Sequence, residues 1–146
     1  MGLNRNIGDL EPRTRRAAEA GLELLKAQGI RYFVNETRRS KEVQAAYWLK
    51  GREPLDVVNI VRALVGLWPL SEKDNASIAT QTMKSKHLDG LALDICPADV
   101  AGAPLWNAPR EEYEKIAAVM KSVGFEWGGD WKGSWDQPHY QIKDVV

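Results

Sequence analysis

Apolar residues recur with helical spacing in the N-terminal part of the chain. Ala18, Leu22 and Leu25 fall at positions i, i+4 and i+7, and charged side chains occupy the other face of the same stretch. This is the periodicity of an amphipathic helix. The pattern predicts a helix that begins near Pro12 and ends at Gly29.

Three further stretches have the pattern of helices. Ser40 is a candidate N-cap for a helix that runs through Lys50, and Gly51 follows where a C-terminal glycine is expected. A third helix is predicted over residues 55–67, and a fourth ends at Gly124. The apolar face of this fourth helix is formed by Tyr113, Ile116, Ala117, Met120 and Val123.

Strand-like segments alternate with these helices. They are IRYFVN, the polar stretch IATQTMKS, the apolar run from Leu91 to Ile95, and two short strands on either side of WGGDWKGSWD. The chain shows no internal repeat and no linker. We therefore predict a mixed α+β fold in a single domain over residues 1–146, with the N-terminal helix within residues 1–30.

Composition limits the functional classes. The 146 residues are 44% hydrophobic and include six tryptophans, which is enough to build a hydrophobic core. Twenty basic residues balance twenty acidic ones, so no overall charge attracts the chain to nucleic acid or to an anionic membrane. The single cysteine, Cys96, excludes an internal disulfide and is interpreted as a core residue rather than as a nucleophile.

The N-terminal segment lacks the uninterrupted apolar stretch of a secretory signal. No stretch approaches the roughly 20 apolar residues of a membrane span. We therefore expect a protein that is made in a cytoplasm, has no stable membrane association and does not bind nucleic acid.

Asp94 lies inside an otherwise apolar strand sequence. An unpaired carboxylate there would cost several kcal/mol of desolvation, so it needs a hydrogen-bonded partner, an ion pair such as one with an arginine, or a metal ion. His87 precedes it by a turn, HLDG, that can fold the imidazole onto the carboxylate, and His139 lies in the segment WDQPHYQI. Two histidines and an aspartate would suit Zn²⁺ with a fourth position open, although a lone histidine is more often a core or surface residue.

Asp136 precedes His139 by three residues. In a regular strand the two side chains would point to opposite faces, so they share a site only if the intervening residues bend the chain. Asp136 is then either a turn residue or a general base that takes a proton from water and passes it to a leaving amine.

Two longer motifs carry a family resemblance. SKHLDGLALDI resembles the Ser-x-His-x-x-Gly-x-Ala-x-Asp motif of the bacterial and phage zinc D-alanyl-D-alanine carboxypeptidases, D-alanyl-D-alanine dipeptidases and L-alanyl-D-glutamate endopeptidases. WGGDWKGSWDQPHYQI is similar to the second motif of that family, and ETRRSKEVQAAYWLKGR to its first block. The resemblance covers most of the chain from Arg31 onward.

This resemblance implies an antiparallel sheet with helices packed around it and a site for one zinc ion on the sheet, as in the hedgehog and D-Ala-D-Ala peptidase scaffold. It implies His87, Asp94 and His139 as the metal ligands and Asp136 as the general acid/base. It further implies substrate or oxyanion contacts from Ser85 and from an arginine, for which the sequence TRRS offers two candidates. Of these, Arg39, directly before Ser40, is preferred to Arg38.

Residues 53–83 are interpreted as a variable helical insertion, either a lid or substrate wall or a helix that packs in the core. Trp127, Trp131 and Trp135 recur near His139 and are either core residues or an aromatic platform for a ligand.

The family resemblance implies a monomeric zinc peptidase that acts on the stem peptide of peptidoglycan. The L-alanyl-D-glutamate bond is the first choice, in a phage endolysin that reaches the cell wall in the periplasm once the membrane is permeabilised. Removal of terminal D-alanine by a carboxypeptidase or dipeptidase is the first alternative. A non-catalytic zinc domain that binds peptide is the second, and it would have no need of Asp136.

Overall fold

A computed structural model describes residues 2–133 and 135–143. Its centre is one antiparallel sheet with the strand order β1-β2-β4-β3. The strands are β1 (Tyr32–Glu36), β2 (Ala92–Pro97), β3 (Phe125–Trp127) and β4 (His139–Ile142). The predicted α+β class with an antiparallel sheet is confirmed.

Four α-helices accompany the sheet in the described part of the chain: α1 (Pro12–Ala27), α2 (Lys41–Leu49), α3 (Leu55–Leu64) and α4 (Arg110–Ser122). The predicted cap of α2 is present, because Ser40 Oγ accepts a hydrogen bond from the backbone N–H of Val43. No helix within the described residues is long and apolar enough to cross a membrane.

Two local predictions were wrong. Helix α3 ends three residues early, because Gly66 takes a left-handed φ of +79° and the N–H of Leu67 returns to the carbonyl of Arg62. No strand forms in IATQTMKS. There the hydroxyl groups of Thr80 and Thr82 accept hydrogen bonds from the backbone two residues ahead, which replaces strand pairing with local turns.

The main core lies between the sheet and helices α1 and α4. Its fully buried side chains include Leu25, Leu93, Ile116, Met120, Phe125 and Tyr140. The two helices approach closely at Gly21, where a Cβ atom would lie 2.6 Å from the sulfur of Met120. A smaller apolar cluster joins α2 to the segment after α3 and consists of Val43, Ala46, Val65 and Leu67.

Strand register places a row of polar side chains on the sheet. Glu36 pairs with Asp94, and Asp94 pairs with His139, so the three residues cross β1, β2 and β4 side by side. The neighbouring pair, Leu93 and Tyr140, points into the main core. Because side chains alternate along a strand, the polar row faces away from that core.

Candidate metal centre

His87, Asp94 and His139 converge on one point at the face of the sheet. One ligand atom from each lies within 4.8 Å of the others. His87 Nε2 is 3.1 Å from Asp94 Oδ1, and His139 Nδ1 is 3.4 Å from the same oxygen. The polar residue inside the apolar strand therefore meets both histidines.

A short turn delivers His87 to this point. Residues Lys86–Asp89 form a single 3₁₀ turn, capped by Ser85, whose Oγ accepts a hydrogen bond from the backbone N–H of His87. The turn closes at Gly90, whose φ is +70°. A left-handed residue is easiest for glycine, so the HLDG sequence folds back as predicted.

Each imidazole is oriented by a hydrogen bond on its other nitrogen. His87 Nδ1 lies 2.7 Å from the carbonyl oxygen of Thr37, and His139 Nε2 lies 2.9 Å from Oε1 of Gln141. Both acceptors are oxygens, so these nitrogens carry the protons. The nitrogens that face Asp94 lie within reach of its carboxylate, and they are the ones whose lone pairs would be offered to a metal ion, as in metal-binding histidines.

The carboxylate of Asp94 is kept ionised. Burial by itself favours the neutral form, but His87 and His139 outweigh it and hold the pKa of Asp94 far below its ordinary value. A deprotonated carboxylate and two oriented imidazoles are the donor set that Zn²⁺ accepts, so these residues fit a zinc ion.

Asp136 stands beside the cluster. The chain turns at Gln137 and Pro138, and this bend brings Asp136 Oδ2 within 4.0 Å of His139 Nδ1. Partial burial, and then the negative charge of Asp94, raise the pKa of Asp136 above its ordinary value. The carboxyl group is half-exposed, so it meets both the cluster and the solvent.

Arg39 lines the same cleft and is held by two partners. Its Nε and Nη2 donate to the carboxylate of Glu36 at 3.1 and 2.5 Å, and its Nη1 donates to Oε1 of Gln44 at 2.7 Å. Burial opposes the charge of Arg39, but the bonds to Glu36 raise its pKa above the ordinary value. The backbone N–H of Arg39 donates to the carbonyl of His87. This bond ties the arginine to the candidate metal cluster, meaning the group of His87, Asp94 and His139.

The cluster opens on a cleft of about 810 Å³. Its lining includes residues of β4 and of the loop before it, where the Trp131 ring lies 5.1 Å from that of His139. Residues from α2, from α3 and from the segment 78–86 also line it. Part of the segment 53–83 therefore lines the cleft, although α3 also packs against α2.

The tryptophans near His139 occupy different environments. Trp127 is buried in the main core, Trp131 is partly buried, and Trp135 is exposed at the rim of the cleft. Only part of the group is therefore available to a ligand.

Cys96 is fully buried, and burial raises the pKa of its thiol to about 11. The thiolate is the nucleophilic form, so this cysteine is inert at neutral pH.

Comparison with known proteins supports the resemblance that the two histidine motifs carry. A family profile described as D-alanyl-D-alanine carboxypeptidase matches residues 79–142, the stretch that contains both histidine motifs. A crystal structure of the L-Ala D-Glu endopeptidase ChiX of Serratia marcescens superimposes with a TM-score of 0.61 at 25% identity, over 98% of this chain and 90% of that one. The family resemblance is confirmed.

Two curated sequences from the same group of peptidases are also similar. The L-alanyl-D-glutamate peptidase of Listeria phage A118 is 36% identical over 138 residues, which are 94% of this chain but only 39% of the phage protein. The peptidoglycan L-alanyl-D-glutamate endopeptidase CwlK of Bacillus subtilis is 26% identical, over 92% of this chain and 74% of its own length. The chain therefore spans about two fifths of the first relative and three quarters of the second.

The vancomycin resistance D,D-pentapeptidase VanY, solved in complex with Zn(II), shares the fold of this chain. Its TM-score is 0.57 at 19% identity, over 91% of this chain and 72% of that one.

Sequence reasoning missed the two groups that orient the histidines. Thr37 acts through its backbone carbonyl, which no residue type signals. Gln141 follows His139 by two positions in a strand, so the alternation of side chains would have placed the two on one face.

Proposed function

We propose that this protein is a zinc-dependent peptidoglycan peptidase that cleaves the L-alanyl-D-glutamate bond of the stem peptide. The observation that carries the proposal is the meeting of His87, Asp94 and His139 beside Asp136 on an open cleft. The choice of bond follows the names of the relatives, three of which are peptidases of that bond.

The zinc ligands in this proposal are His87 through Nε2, His139 through Nδ1, and the Asp94 carboxylate. A zinc ion bound by them would act as a Lewis acid toward the scissile carbonyl and make bound water more acidic. The Zn(II) complex of VanY supports zinc as the metal.

The remaining roles belong to side chains of the cleft. Asp136 takes a proton from the attacking water and donates it to the leaving amine, and its raised pKa suits a group that must both accept and release a proton. Arg39, held rigid by Glu36, and Ser85 contact the substrate or the oxyanion that develops on its carbonyl.

We further propose that the protein is a phage endolysin, which acts in the periplasm during host lysis. The similarity to the Listeria phage peptidase supports this role. A D-alanyl-D-alanine carboxypeptidase is the second candidate, because the matching family profile carries that description. A non-catalytic binding module is disfavoured by the position of Asp136 beside the cluster.

The test is the substitution Asp136→Asn, which removes the proton acceptor and keeps the shape of the side chain. Purified peptidoglycan is digested with the zinc-loaded protein and the fragments are identified by mass spectrometry. We expect the wild type to release fragments with a new N-terminal D-glutamate and the variant to be slower by roughly 10²- to 10⁴-fold with unchanged zinc content.

Asp56→Asn serves as the matched control, since Asp56 is exposed on α3 and does not line the cleft. Loss of terminal D-alanine alone would replace the endopeptidase by the carboxypeptidase. Zinc binding without cleavage of any peptidoglycan would favour the binding module.

A further inference from the structure

Helix α3 places a buried guanidinium in the lining of the cleft on which the metal cluster opens. Arg62, in the last turn of α3, is only 2% exposed, and it lines the same cleft as His87 and Asp136. Its Nε donates to the carbonyl oxygen of Trp68 at 2.7 Å, and its guanidinium lies 5.0 Å from the centre of the Trp68 ring. These contacts fix the direction of the side chain.

Arg62 has no ion-pair partner within the described ranges. No acidic side chain there lies within 4.0 Å of it, although the charge of Asp74 acts on it from farther away. Its two terminal nitrogens have no hydrogen-bond partner. Neither nitrogen is among the polar atoms that are sealed from solvent without a partner. Each terminal nitrogen therefore keeps some contact with solvent, and Arg62 lines the cleft.

Arg39 provides the contrast. Its guanidinium binds both oxygens of Glu36 and the amide of Gln44, so most of its donors are used inside the protein. Burial lowers the pKa of Arg62, whereas the bonds to Glu36 raise that of Arg39. A buried arginine without an anionic partner is unfavourable by itself, and an incoming carboxylate would relieve that cost.

Carboxylates and cations both line the cleft. The carboxylates are those of Glu36, Asp94 and Asp136. Glu36 is paired with Arg39, and Lys50 Nζ donates to the carbonyl of Ser77. Arg62 has no such partner, so a peptide bound in the cleft would meet its positive charge.

We propose that Arg62 binds a free carboxylate of the stem peptide through its two terminal nitrogens and so determines substrate specificity. This inference rests on the proposed function. A guanidinium that presents a pair of N–H groups matches the two oxygens of a carboxylate.

Two carboxylates of the substrate have this chemistry. D-Glutamate is linked onward through its side chain, so its α-carboxylate is free beside the scissile bond. The third residue supplies another carboxylate when it is diaminopimelate and lacks it when it is lysine.

The experiment uses four synthetic stem peptides. They carry either D-glutamate or its α-amide at the second position, and either diaminopimelate or lysine at the third. The kcat/KM of the zinc-loaded wild type and of Arg62→Gln is measured for each. The Kd of the metal-free proteins is measured as well, so that binding is observed apart from cleavage.

We expect the wild type to lose roughly 10- to 100-fold in kcat/KM when the recognised carboxylate is removed, and Arg62→Gln to lose this discrimination. The pair of peptides that shows the loss identifies which carboxylate is bound. Arg62→Lys, which keeps the charge but not the paired donors, should recover part of the discrimination.

Arg52→Gln is the matched control. Arg52 also stacks on a tryptophan and donates to that residue's carbonyl, at 3.6 Å from the Trp48 ring centre and 2.7 Å from its oxygen, but it is exposed and does not line the cleft. It should leave the discrimination unchanged.

Three outcomes would overturn the inference. If Arg62→Gln lowers kcat/KM equally for all four peptides, the arginine is structural. If the wild type cleaves the peptides without discrimination, the proposed function stands and the inference fails. If the wild type neither cleaves nor binds any of the four, the proposed function fails together with the inference. If Arg62→Gln does not fold, Arg62→Lys decides instead, since the inference requires that variant to discriminate less than the wild type.

Discussion

At the scale of single residues, the orientation of each histidine depends on a group that is not itself a ligand. The Thr37 carbonyl fixes the proton of His87, and Gln141 fixes that of His139. Thr37 is in turn anchored by its own backbone N–H and hydroxyl, which donate to the carbonyls of Asn4 and Asn6. Hydrogen bonds from the N-terminal segment therefore reach the metal cluster through one intermediate residue.

We predict that Gln141→Leu weakens zinc binding by roughly 10- to 100-fold, because His139 loses the acceptor that fixes its tautomer. A competition titration against a zinc chelator measures the affinity. Gln28→Leu, the same change at an exposed position at the end of α1, should have no effect. An unchanged affinity in Gln141→Leu would show that the hydrogen bond does not tune the site.

The two histidine motifs predicted, through the family resemblance, that His87, Asp94 and His139 share one site, and the structure brings them together. The residue pattern by itself required only a polar partner for Asp94 and left an arginine open. Neither argument indicated Arg62. A helical pattern marks an arginine as solvent-exposed, and only the fold reveals that this one is buried next to Trp68 without a carboxylate.

At the scale of elements, the geometry of the site depends more on turns than on helices and strands. The periodic patterns of α1, α2 and α4 predicted those helices, since a long apolar stripe leaves few alternatives. Residues 78–85 escaped prediction because threonine has a high strand propensity, and side-chain hydrogen bonds overrode that propensity. This segment lines the cleft, so its irregular backbone contributes directly to the site.

The turn at Gly90 gives a prediction at this scale. Gly90→Ala places a side chain on a left-handed residue, and its Cβ would lie 2.7 Å from the backbone nitrogen of Glu11. Gly102→Ala has a similar φ of +88° but meets nothing within 4 Å. We expect about 1 kcal/mol of destabilisation for Gly102→Ala and about 3 kcal/mol for Gly90→Ala, measured by urea unfolding. Equal losses would mean that the contact with Glu11 adds nothing.

At the scale of the whole molecule, protons would compete with the proposed metal ion for the same side chains. Contact with Asp94 raises the pKa of His139 above its ordinary value of 6.5, although burial opposes this. Without metal, the protonated histidine stabilises the fold below about pH 6.5, and that contribution is lost as the pH rises through the raised pKa. Metal binding requires the neutral imidazole, so it strengthens as the pH rises.

As the pH rises, the metal-free protein loses the stabilisation from protonated His139 while metal binding becomes stronger. Both changes increase the stabilisation that zinc provides. The difference in Tm between the zinc-loaded and the chelated protein should widen from pH 6 to pH 8. At a free zinc concentration 100 times the Kd, the stabilisation is about 2.7 kcal/mol. Thermal melts with and without chelator measure it, and His139→Gln should remove most of the difference. A difference that narrows with increasing pH would contradict the assignment of His139 as a ligand.

The row of Glu36, Asp94 and His139 across three strands has a consequence for assembly of the sheet. Since side chains alternate, a slip of one position between β2 and either neighbour would send part of the row to the opposite face. In such a molecule Asp94 and His139 would no longer meet. A metal ion bound by His87, Asp94 and His139, as proposed, would therefore select, among the conformers that a folding chain samples, those whose strands are correctly aligned.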